Sequence, residues 1–160
     1  MRKILILLLA FTVLFSFVAC NTDTNLEGDL EDILAQIYET AELDDEFRQY
    51  VIGRLNTQEI PMENMQYFLG VEGLEFLEAI ASEPMISAQA YSLCLVRVKE
   101  DADIEAMKTS IKENVNPRKW VCVGVDPENV IVDSIGDVII LIMTNDYAKE
   151  FHDAFLALKE

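Results

Sequence analysis

The chain has 160 residues, 51% of them hydrophobic, and sets 29 Asp and Glu against 12 Lys and Arg for a formal net charge of −17. That length fits one domain of ordinary size and leaves no room for a second. The apolar content excludes a disordered chain. The acidic excess argues against nucleic acid as a partner, because phosphate binding needs Lys and Arg to displace counterions, and against direct docking on anionic lipid.

The first residues read as an address. Met1-Arg2-Lys3 is a basic start, positions 4–17 are apolar except for Thr12 and Ser16, and Val18-Ala19-Cys20 follows. A basic segment, an apolar core and a small residue before a cut form a secretory signal. With the thiol placed directly after Phe17-Val18-Ala19, the run resembles the lipobox of bacterial lipoproteins. The resemblance implies cleavage before Cys20 and attachment of diacylglyceryl to its sulfur. Residues 1–19 are then a signal peptide, 20–28 the lipidated cysteine and a polar, flexible tether, and 29–160 a single folded domain. Such a tether reaches roughly 15 Å, and more than one acyl chain gives stable anchoring. The expected location is the extracytoplasmic face of the cell membrane. One alternative is an uncleaved anchor helix over 4–20, which tethers the same domain to the same bilayer; another is plain secretion.

Within the domain, Leu30, Ile33, Leu34 and Ile37 recur at helical spacing, which predicts a helix over 29–39 with acids at its positive end. Phe47, Val51 and Leu55 predict a second helix over 45–55. A short helix over 63–69 ends at Gly70. The run 73–86 fits a helix or a strand. Tyr91, Leu93, Leu95, Val96 and Val98 predict a strand. Asp101 or Asp103 caps a helix carrying Ile104, Met107, Ile111 and Val115, which Asn116-Pro117 terminates. Residues 120–125 are β-rich. Residues 130–135 and 138–143 form a hairpin around Gly136-Asp137, and the second arm has no polar face, as in a strand covered on both sides. Thr144 or Asn145 caps a final helix with Ala148, Phe151, Phe155 and Leu158 facing inward. The order predicts an α+β domain with a mostly antiparallel sheet of four to five strands and packed helices.

Few residues suggest chemistry. The sequence lacks a nucleophile elbow, a phosphate-binding loop and a dinucleotide fingerprint. The single histidine, His152, sits on the final helix and reads as structural or exposed. There is no Cys-x-x-Cys and no His-Glu-x-x-His, so no metal site and no cofactor are expected. Glu42, Asp44, Asp45 and Glu46 lack the ligand alternation of a calcium loop and read as a solvated acidic face. Cys94 and Cys122 each lie in an apolar run, in a compartment that permits disulfides. Two buried thiols and a Cys94–Cys122 bridge both stay open. One local contrast remains, Arg118-Lys119-Trp120, a basic pair beside the only Trp. These residue types are enriched at binding hot spots, which makes the three a possible interaction surface. The competing reading places Trp120 in the core and the basic pair at a helix C-terminus.

Three segments carry a further likeness: residues 83–88 (Glu83-Pro84-Met85-Ile86-Ser87-Ala88), 91–98 (Tyr91-Ser92-Leu93-Cys94-Leu95-Val96-Arg97-Val98) and 116–123 (Asn116-Pro117-Arg118-Lys119-Trp120-Val121-Cys122-Val123). With the lipobox in front, they resemble the bacterial lipoprotein family called domain of unknown function 4358. That resemblance implies a lipid-anchored envelope protein, mainly of Gram-positive and often anaerobic bacteria, with one small α+β domain and no established activity. An anaerobic host disfavours the Cys94–Cys122 bridge. The functional expectation is a non-enzymatic module that binds another envelope component. The alternative is an envelope hydrolase acting through paired carboxylates on cell-wall or peptide material.

Overall fold

A computed structural model describes residues 25–159. The proposed signal peptide and Cys20 lie outside the described residues. Helix α1 (Leu30–Thr40) starts at Asp29, whose carboxylate accepts from the Asp32 N–H at 2.8 Å. Leu30, Ile33, Leu34 and Ile37 are buried, so the predicted stripe is the packed face. Helix α2 (Asp45–Arg54) is capped in the same way by Asp44. It runs straight into strand β1 (Leu55–Glu59). A 3-10 turn (Met62–Asn64) leads to α3 (Met65–Leu69), which Gly70 stops at φ 75°. Strands β2 (Phe76–Pro84) and β3 (Tyr91–Val98), helix α4 (Ile104–Asn114), the hairpin β4 (Val130–Ile135) and β5 (Val138–Thr144), and helix α5 (Ala148–Ala157) complete the chain.

The five strands form one sheet in the order β1-β2-β3-β5-β4, and every pairing is antiparallel. The protein is a small single-domain α+β fold. The sheet carries a core on each face. On one face Ile80, Tyr91, Leu93, Leu95, Val138, Ile140 and Ile142 meet α1, α5 and Val51 of α2. On the other, Ala79, Ala81, Cys94, Val96, Ile139, Leu141 and Met143 meet α3, α4, Trp120 and Val125. Two buried faces explain why β5 has no polar side and why all seven of its residues are buried.

The run 73–86, open between helix and strand, contains strand β2 over Phe76–Pro84, with a bulge between Phe76 and Glu78 where Leu77 is 62% exposed. Four expectations need correction. Leu55, expected to end α2, instead opens the edge strand β1 over residues 55–59, where the sequence predicted no strand. Leu-Asn-Thr-Gln-Glu has no apolar alternation, and it is extended because it pairs residue for residue with β2 from Leu55↔Pro84 to Glu59↔Ile80. Residues 120–125 are not a strand: the Val125 N–H donates to the Pro117 carbonyl at 2.8 Å and closes residues 117–125 into a compact loop. Neither Thr144 nor Asn145 caps α5, whose N-cap is Tyr147 in the left-handed region at φ 60°. Asn145 instead ties down the chain before β4, accepting from the Asp126 N–H at 2.8 Å and donating to the Gly124 carbonyl at 3.1 Å. Of the expected tether, residues 26–28 are docked: Arg97 donates to the Leu26 and Gly28 carbonyls at 3.0 and 2.9 Å, and Leu26 is half-buried.

Candidate functional site

The α4–β4 loop holds the three residues singled out by their contrast, and it separates them. Asn116 accepts from the Arg118 N–H at 2.9 Å, and Arg118 stays exposed. Lys119 turns inward and Trp120 is 6% exposed, so the expected surface of Arg118, Lys119 and Trp120 keeps only Arg118 outside. The reason is a carboxylate elsewhere in the chain. Lys119 Nζ lies 2.5 Å from Glu83 Oε1 on β2 and 3.4 Å from Ser92 Oγ on β3. The two ion-pair side chains are 3% and 9% exposed.

Aromatic faces complete the enclosure. The ammonium sits 4.6 Å from the Tyr67 ring centroid, 5.3 Å from Phe68 and 5.4 Å from Trp120. Ring quadrupoles attract a cation most strongly where water is excluded, and they offset part of the desolvation that a buried ion pair incurs. Partial burial, joined by the Glu83 charge, raises the pKa of the Tyr67 phenol.

Cys94 borders this cluster, its Sγ 3.5 Å from Ser92 Oγ. Burial pushes the thiol up to about 11, against the opposing charge of Lys119. A thiol so held is not a nucleophile. Lys, Cys, Ser and Glu thus meet without forming a reaction site, since a 3% exposed amine and a fully buried thiol offer a substrate no approach. The cluster is a bolt between the loop and the sheet.

The two remaining cysteines are free and differently placed: Cys94 is buried and Cys122 exposed, with no bridge between them. The expectation of a second buried thiol fails at Cys122, whose φ is 61°. A positive φ turns a non-glycine chain out of extended geometry, and Val121 and Val123 follow it outward at 65% and 37% exposure. The β2–β3 loop lies alongside, joined by the Val121 N–H donating to the Ser87 carbonyl at 3.1 Å. It adds Met85 and Ile86, exposed by 74% and 69%. Four exposed apolar side chains therefore stand on two loops that this hydrogen bond joins, with Arg118 three residues before Val121. Apolar periodicity did not find these residues, because 120–125 reads as β-rich and 85–86 ends the run left open between helix and strand.

Elsewhere, charge serves structure. Asp133 on the edge strand β4 clasps both helical layers: it lies 2.8 Å from His152 Nε2 on α5 and 3.6 Å from Lys108 Nζ on α4. Partial burial opposes ionisation of this carboxyl. Hydrogen bonds from His152 and the Ser134 N–H, with the charges of His152 and Lys108, outweigh it and hold the pKa below the usual range. Asp44, in the acidic stretch, is lowered by the Phe47 N–H and then by the Tyr147 hydroxyl, which donates to it at 2.5 Å. Among the described residues no group of three or more His, Cys, Asp or Glu is gathered to hold a metal. No helix among them is long and apolar enough to cross a membrane.

No family model, curated protein or solved structure matches the chain.

Proposed function

We propose that the chain is a lipid-anchored extracytoplasmic lipoprotein of the bacterial envelope, of the kind grouped as domain of unknown function 4358, and that its domain is a non-enzymatic binding module for another envelope protein. The leader and the Phe17-Val18-Ala19-Cys20 box support the anchoring. The observation that carries the binding reading is the exposed apolar patch of Met85, Ile86, Val121 and Val123. Clustered apolar exposure rimmed by polar residues marks interaction surfaces, whereas scattered apolar residues do not. Arg118 at its margin adds a cation to a chain of net charge −17.

Crosslinking and pull-down from intact membranes tests the proposal, comparing the native chain with Cys20→Ala and with Ile86→Asp/Val121→Asp. A specific partner recovered with the native chain, and lost with both variants, is expected. Turnover of a wall fragment would contradict the binding reading. A full-length species with a free Cys20 thiol, recovered from the cytosol, would contradict the anchoring.

A further inference from the structure

A cleft of about 410 Å³ opens between α1 and α2 above the β1 side of the sheet, on the face away from Lys119. Its walls are apolar: Leu34 from α1, Val51 and Ile52 from α2, and Leu55 from β1. Ile52 forms an apolar lip, 77% exposed. Its deep end is made of hydroxyls. Tyr38 and Ser82 line it, Ser82 is fully buried, and Ser82 Oγ has no hydrogen-bond partner. Behind them the Tyr38 and Tyr91 hydroxyls lie 3.0 Å apart, and the neighbouring Tyr50 hydroxyl is also buried without a partner.

Each hydroxyl carries one donor. Among these four hydroxyls Tyr38 and Tyr91 pair with each other, while Ser82 Oγ and the Tyr50 hydroxyl are left without a hydrogen-bond partner. An unpaired buried hydroxyl destabilises a fold, and packing alone gives no reason to collect them at the end of an open cleft. Burial pushes the Tyr50 phenol up to about 12 and raises Tyr38, so these groups remain neutral donors. The charged group on the lining is Glu31, exposed at the rim. It repels anions, while Tyr38 and Ser82 bring no charge of their own to neutralise a cation.

We propose that this cleft binds a small uncharged amphiphile, whose carbonyl or ether oxygen accepts from Ser82 and the tyrosine hydroxyls while a short aliphatic body lies against Leu34, Val51, Ile52 and Leu55. The inference stands apart from the anchoring and from the loop patch, which involve other residues.

The test uses the full chain in lipid nanodiscs, with isoleucine and leucine methyl groups labelled for NMR and hexanamide as the probe. Hexanamide is expected to shift Ile52, Leu34 and Leu55 saturably, leaving Ile86, outside the cleft, in place. Hexanoate and hexylammonium, equal in length but charged, should bind at least about tenfold more weakly. Ser82→Ala should weaken hexanamide binding about tenfold, equivalent to about 1.4 kcal/mol. The same variant should leave the thermal midpoint unchanged or raised, because the deleted hydroxyl has no partner to lose. Several results would overturn the proposal: no saturation by hexanamide, equal binding of either ion, unchanged affinity in Ser82→Ala, or a lowered midpoint in that variant. The last would mean that water or protein already satisfies the hydroxyl.

Discussion

Replacing Lys119 with methionine tests what fastens the α4–β4 loop to the sheet. The two side chains are similar in length, so much of the packing against Tyr67, Phe68 and Trp120 survives while the charge is lost. Glu83 is then left 9% exposed with no counter-ion. Removing one partner of a buried ion pair costs about 3–5 kcal/mol, and the slight exposure of Glu83 favours the lower end. For a domain of this size, about 3 kcal/mol lowers the thermal midpoint by roughly 10 °C. Urea unfolding followed by Trp120 fluorescence reads the change directly, because Trp120 is the only tryptophan and lies against the altered site. The denaturant midpoint should fall with little change in slope. The double variant Lys119→Met/Glu83→Leu replaces both charges with apolar groups, and it should recover about 2 kcal/mol relative to the sum of the single losses. A Lys119→Met loss below about 1 kcal/mol would refute the bolt, and so would strict additivity in the cycle.

Three further outcomes follow from the packing. Gly70→Ala places a Cβ 2.3 Å from the Val115 nitrogen at a position with φ 75°; strain and clash together should cost at least roughly 2 kcal/mol in denaturant unfolding, and a neutral result would refute the close approach of α3 and α4. In native protein, a thiol reagent should modify Cys122 rapidly and Cys94 only as the domain opens, whereas equal rates would contradict their placement. Asp133 has a lowered folded pKa, so its stabilisation is complete above the unfolded value of about 3.9 and is lost as pH falls through the folded value. Stability measured from pH 6 to pH 2 should therefore decline less steeply in Asp133→Asn, and two parallel curves would refute the clasp.

Much of the fold was legible in the sequence because its signals are local. The 3.6-residue stripe of Leu30, Ile33, Leu34 and Ile37 announces α1 whatever lies beside it, and it is buried as expected. Asp103 caps α4, accepting from the Ala106 N–H at 3.0 Å, and Gly70 stops α3. The unbroken apolar run from Val138 requires cover on both faces, and both faces are covered. The hairpin at Gly136-Asp137 and the α+β arrangement follow from the same kind of evidence. The candidate site was less legible. Its residues were noticed for their composition, but composition does not say which way a side chain points.

What only the tertiary structure decided depends on partners far along the chain. β1 is polar along its length and becomes a strand because β2 offers an open edge. Lys119 is drawn inward by Glu83, 36 residues before it, leaving Arg118 alone at the surface. Val121, Cys122 and Val123 face solvent because the loop closes on Pro117 and Cys122 takes a φ of 61°, which turns its middle outward. Local sequence fixes periodicity, caps and turns through bonds made within a few residues. Whether an apolar or charged side chain is buried depends on which distant group arrives to meet it, and that is settled only when the sheet assembles.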